Sequence, residues 1–185
     1  MPLDYRIITC FFLATLLVAI VPGLGAPPTF PDLFSVRTVA VTPFTDEVGM
    51  HADLARWAAP RLTILLSGVG VRVVPMSQVE EALQATGLRS ADLVSAPATE
   101  NLAHQLQADV VVTGRLITAD VDRDPMERGP AESTVIFALR LLVVPTRRLS
   151  YAEITGYAAG NTLGLVRAAD QALRQFVSRW SMARP

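Results

Sequence analysis

The chain is poor in the residues from which enzymes most often build their chemistry. Cys10 is the one cysteine among 185 residues, and it lies in an apolar N-terminal stretch. The rest of the chain therefore holds no disulfide, no thiolate nucleophile and no cysteine metal site. Histidine is almost as scarce, with His51 and His104 alone. Neither has a serine, cysteine or carboxylate at a spacing that would make a catalytic set. Glycines are missing where a nucleotide would need them. The turn after the first apolar strand reads Thr42-Pro43-Phe44-Thr45-Asp46, without the glycines and lysine of a phosphate-cradling loop. The formal net charge is −1, so the chain as a whole exerts no strong pull on nucleic acid or anionic membrane. These absences argue against an enzyme and against a resident cofactor or metal.

What the chain does have is apolar sequence, 51% of its residues, enough for the core of one domain. The first apolar run stands apart. Met1 to Arg6 is a weakly basic head, Ile7 to Val21 is unbroken, and Pro22 to Ala26 ends it with a breaker and small residues. That is the order of a secretory signal peptide. The run is shorter than the ~20 residues of a comfortable membrane span, though counting through Leu24 brings it close. Two readings stand: cleavage near Gly25 or Ala26, or an uncleaved inner-membrane anchor. Residues 27–35 are a proline-rich linker, which leaves 36–182 as a single α/β domain in the periplasm or cell envelope.

Within that domain the stretch Ala108 to Ile117 organises the rest. Val110, Val111 and Val112 show no alternation, which marks a strand buried on both faces. Gly114 within it predicts a bulge or the close approach of another backbone. Before it come a strand over Val36–Phe44, a helix over His51–Ser67 that kinks or starts late at Pro60, and a strand over Val71–Val74. A second helix follows, opened by a Ser77–Glu80 capping box and stopped at Gly87. Thr99 caps a short third helix. After the central strand, Thr118 to Ser133 is a polar excursion. Thr134–Val144 and Leu149–Tyr157 then pair across the turn at Pro145–Arg148. The stripe Leu165, Ala169, Ala172, Leu173, Phe176, Val177 and Trp180 predicts a closing helix over Thr162–Met182. The order β-α-β-α-(α)-β-β-β-α describes a mixed sheet of about five strands flanked by helices.

Two blocks of this pattern, Val39 to Phe44 and Ala108 to Gly114, resemble the CsgG-like family of bacterial envelope proteins. With the hairpin and closing helix, the resemblance spans roughly residues 36–180. The family includes the curli secretion channel, the lipoprotein activator of penicillin-binding proteins, the flagellar accessory protein FlgO and the amino-terminal domain of TolB. The resemblance implies the fold and a life in the envelope, since its members do different jobs on one scaffold. No lipobox cysteine follows the apolar core here. The polar, proline-bearing excursion does not suit the membrane-spanning hairpins of the channel member.

The remaining polar features are weak as chemistry. Asp120, Asp122 and Asp124 alternate as at the start of a calcium loop, but Pro125 and Ala131 occupy the positions where that loop needs glycine and a bidentate glutamate. Glu80 and Glu81 belong to the helix cap, and Arg147 and Arg148 to a hairpin tip. The expectation is a non-enzymatic protein-binding module of the envelope. The alternative is an oligomeric subunit of a secretion, flagellar or transport assembly. The partner is another envelope protein, with no nucleic acid involved, and membrane contact comes only through an uncleaved N-terminal segment. The excursion is long for a loop, so Asp122, Arg123, Asp124, Met126, Glu127 and Arg128 are the candidate partner-binding residues, a spacer being the other reading. Trp57 joins them as a half-exposed aromatic on the first helix, core packing being the other reading.

Overall fold

The computed structural model describes residues 36–47, 49–122 and 131–182. A six-stranded mixed sheet forms the middle layer. Its strands are β1 (Thr38–Val41), β2 (Thr45–Asp46), β3 (Arg72–Val73), β4 (Val110–Asp122), β5 (Glu132–Val143) and β6 (Arg148–Ala159). The main order is β3-β1-β4-β5-β6, with β2 pairing β4 beside β1. β1 and β2 run parallel to β4, and β5 and β6 extend the sheet antiparallel. The helices are α1 (Ala52–Gly68), α2 (Met76–Thr86), α3 (Ala96–Leu106) and α4 (Thr162–Met182).

β4 is central, as its unalternating valines require. Val110 and Val112 point into a core shared with α1 and α4, and Val111 points into a second core shared with α2 and α3. All three are fully buried. The α4 stripe lands on the first core as predicted, with Phe176 and Trp180 at its deepest points.

Several sequence expectations change in detail. The strand expected over Val36–Phe44 shortens to β1, because Pro43 has no N–H to continue a ladder, and Thr45–Asp46, polar and loop-like in sequence, forms the short β2 against β4. The capping box does not form: with Pro75 at the N-cap, α2 starts two residues earlier and no side chain caps it. Ser77 then lies inside the first turn, too far along to cap. Ser95, rather than Thr99, caps α3. The buried Thr99 hydroxyl instead donates to the carbonyls of Leu93 and Ser95. Residue Pro60 neither starts nor interrupts α1. It sits on the exposed side, where water can serve the carbonyl it leaves unbonded. At Gly114 the close neighbour is a side chain: a Cβ there would lie 2.4 Å from the Phe44 ring. The register irregularity falls later, between Leu116 and Thr118.

The excursion is also shorter than it reads. β4 continues to Asp122 and β5 begins at Glu132, with Asp120 opposite Thr134 and Asp122 opposite Glu132. Polar residues extend the strands here because one face of this end is uncovered, so the ladder needs no apolar side chains to continue.

The two blocks that carry the family resemblance meet in one packing unit. Phe44 packs over Gly114 and stands edge-on to Phe137, with ring centroids 5.7 Å apart. Asp109 ties the start of β1 to β4, its Oδ2 accepting from the backbone N–H groups of Arg37 at 2.8 Å and Thr38 at 2.9 Å. The aspartate of that block is therefore engaged in holding the sheet together.

Candidate binding surfaces

The helices do not cover the sheet evenly. α1 and α4 lie along one face from β1 to β6, whereas α2 and α3 cover only the parallel half of the other. Arg140 marks where that second cover stops. Its Nη1 donates to the carbonyls of Leu93, at 2.6 Å, and Val94, which pins the loop before α3 onto β5. Its guanidinium also lies 6.0 Å from the centroid of the Tyr151 ring.

Beyond Arg140 the outer face of the antiparallel half carries no helix among the described residues. Side chains of alternate residues stand there in cross-strand rows. Ile136 pairs with Thr155, Ala138 with Glu153, and Arg140 with Tyr151. Ile136 and Ala138 are half-buried, while Tyr151 is 64% and Tyr157 55% exposed. A depression of about 200 Å³ opens above Ala138, walled by Arg115, Arg140 and Tyr151. Arg115 is held by an ion pair with Glu47. This combination of aromatic rings, small apolar floor and arginine is the kind of surface that proteins present to other proteins.

Of the sequence candidates, Asp122 lies at the end of this face, exposed and directly opposite Glu132. Asp120 and Asp122 are in extended strand, which rules out the calcium-loop geometry for them. Arg123, Asp124, Met126, Glu127 and Arg128 lie outside the described residues. Trp57 is elsewhere, on the opposite side of the molecule, half-buried and packed against the first core. It lines a groove between α1 and α4 together with Pro60, Ile64 and Val166. Of the histidines, His51 stands at the N-cap position of α1 with no capping bond from its side chain, its backbone N–H donating to Asp46 Oδ2 at 2.6 Å. His104 is exposed in the last turn of α3. Sequence reasoning missed the open face itself, and the alternation Tyr151-Glu153-Thr155-Tyr157 was the signal that could have shown it.

The groove holds a carboxylate that two arginines share. Asp170 Oδ1 accepts from Arg61 Nε and Oδ2 from Arg174 Nε, both at 2.6 Å. Partial burial pushes its pKa up, but the bonds from Arg61 and Arg174 outweigh this and hold it below the ordinary 3.8. Because folding lowers this pKa, the ionised carboxylate stabilises the fold above about pH 4. That contribution is lost as pH falls through the lower folded value. Asp170→Asn is expected to lower the melting temperature slightly at neutral pH, by an amount equivalent to less than about 1 kcal/mol for so exposed a pair. The gap from the wild type closes as the pH is taken below 3.8. A gap that persists unchanged in acid would show that the carboxylate charge is not responsible.

No protein-family model matches this chain, and no curated protein does. Solved structures do resemble it. A hypothetical protein, CT253 from Chlamydia trachomatis, superposes with a TM-score of 0.55 at 12% identity, over 80% of this chain and 96% of that one. PelC from Paraburkholderia phytofirmans, solved as a dodecamer, gives 0.52 at 18% identity, over 82% and 92% of the two chains. Lipoprotein GNA1162 from Neisseria meningitidis gives 0.52 at 20% identity, over 77% and 99%. At these identities the likeness is one of fold.

Proposed function

We propose that this protein is a non-enzymatic accessory of the bacterial cell envelope that works as a protein-binding module of CsgG-like type. The observation that carries the reading is the sheet face left without a helix. Half-buried Ile136 and Ala138, exposed Tyr151 and Tyr157, and Arg140 lie together there. The fold likeness to lipoprotein GNA1162 supports a place in the envelope. On this reading the segment Ile7 to Ala26 directs export. The native protein then begins near Ala26 or Pro27 if the segment is cleaved, or keeps Met1 in the membrane fraction if it serves as an anchor.

The partner surface in this proposal comprises the open face and the adjoining segment from Asp122 to Arg128. Replacing Pro125 to Gly129 by a short glycine–serine linker tests it. Capture from native envelopes with the wild-type protein identifies the partner, and its affinity is then measured for both forms. The variant is expected to melt like the wild type and to bind at least tenfold more weakly, about 1.4 kcal/mol. Unchanged affinity in a folded variant would remove this segment from the surface.

A second reading is an oligomeric structural subunit. It draws on the dodecameric state of PelC, a protein that shares the fold. The mass of the purified protein in solution separates the two: a ring supports the subunit reading and a monomer the binding module.

A further inference from the structure

We propose that the groove between α1 and α4 is a docking site for an amphipathic helix with acidic flanks, carried by a partner protein. This surface lies on the opposite side of the sheet from the open face, so the proposal stands apart from the reading above.

The groove is built from two depressions, of about 590 Å³ and about 570 Å³, that share Arg61 and Ile64. Its floor and lips are apolar. Trp57 and Pro60 begin it and Val69 ends it on the α1 side, while Val166 and Val177 line the α4 side. Ile64 is 61% exposed, and Leu163, at the start of α4, is 71% exposed. Neither residue packs in the core of its own domain. From Trp57 to Val69 the α1 side is about 18 Å long at 1.5 Å per residue, room for some three turns of a third helix. Laying an apolar stripe into such a groove is a common mode of helix recognition.

Charge decides what kind of helix fits. The groove is lined by Arg61, Arg167 and Arg174 against the single carboxylate of Asp170. That is a surplus of two positive charges on a chain whose formal charge is −1, which leaves −3 for the remainder. Arg61 and Arg174 share Asp170. Among the described residues no carboxylate pairs with Arg167. The chain has no lysine, so all sixteen of its cationic side chains are arginine, whose planar fork bonds carboxylates through two parallel hydrogen bonds.

A second copy of the chain does not supply the occupant. Two such grooves repel each other. The acidic helix α2 exposes Glu80, Glu81 and Gln84 without an apolar stripe to lay into the groove.

The test uses two synthetic peptides of about eighteen residues, long enough for the α4 side of the groove. Both carry leucines at i, i+3, i+4 and i+7; one has glutamates on its flanks and the other lysines. The chain has two tryptophans. Trp180 is fully buried, so a change in emission on titration reports Trp57. The glutamate peptide is expected to shift that emission, to bind at least tenfold more tightly than the lysine peptide, and to weaken as salt is added. Ile64→Glu and Arg167→Glu change exposed positions and should melt like the wild type, and each should lose tenfold or more in affinity for the glutamate peptide. Equal binding of the two peptides would overturn the proposal, as would undiminished binding by both variants. A Trp57 response to phosphatidylglycerol vesicles but to neither peptide would assign the groove to membrane and overturn it too.

Discussion

Gly156→Val is expected to separate α4 from the sheet and abolish cooperative folding. Gly156 lies on β6 directly beneath the helix backbone. A Cβ built there falls 1.8 Å from the Ala168 carbonyl oxygen, 2.7 Å from its carbonyl carbon and 2.9 Å from the Ala172 nitrogen. These are backbone atoms inside a helix, so no rotamer change relieves the clash, and the whole helix must lift. Overpacking that side chains can absorb costs about 1–3 kcal/mol. Lifting α4 also withdraws Leu173, Phe176 and Trp180 from the first core, at ~1.5–3 kcal/mol for each side chain. Together these approach the ~5–15 kcal/mol that a domain has in total. Urea denaturation followed by far-UV circular dichroism measures the effect. Gly68→Ala is the control, since a Cβ at Gly68 meets nothing within 4 Å. A wild-type midpoint for Gly156→Val would mean that α4 does not sit where it is placed.

Val111→Asp is expected to have a comparable effect from the other side of the sheet. Val111 is fully buried in the core beneath α2 and α3, among Ala40, Leu102 and Ala103. An aspartate there would face only apolar side chains. A buried carboxylate without a partner costs several kcal/mol even after it takes up a proton. β4 is also paired on both sides, to β1 and to β5, so a local shift to expose the group would break two ladders. Loss of the thermal transition, with most of the protein in the insoluble fraction, is the expected result. A cooperative transition near the wild-type temperature would show that this strand is not central. Val121→Asp is the useful contrast, because Val121 lies on the same strand but is 42% exposed.

The contrast between Val111 and Val121 also shows what could be read from the chain and what could not. The run Val110-Val111-Val112 has no polar residue, so its burial on both faces follows from local composition alone. The α4 stripe is equally local: its spacing determined which residues face the sheet, and all of them do. Apart from the two-residue β2, the type and order of the main elements were legible for the same reason, since helical and extended periodicities are properties of neighbouring residues.

The tertiary structure decided everything that depends on what covers what. Residues 118–122 and 132–133 read as loop because they are polar, yet they extend β4 and β5 where one face is left uncovered. The alternation in β6 marks one wet face, but its extent is set by where α2 and α3 stop, at Arg140. Nothing local to Gly156 marks it; its importance comes from the backbone of α4 that rests on it. Trp57 was visible as a half-exposed aromatic, but not the arginine-lined groove around it, because Arg61 and Asp170 are 109 positions apart. In each case the sequence alone determined the local periodicity, and chain folding alone determined the neighbour across the gap. Packing energy depends on contacts between residues distant in the chain, and no local pattern carries that information.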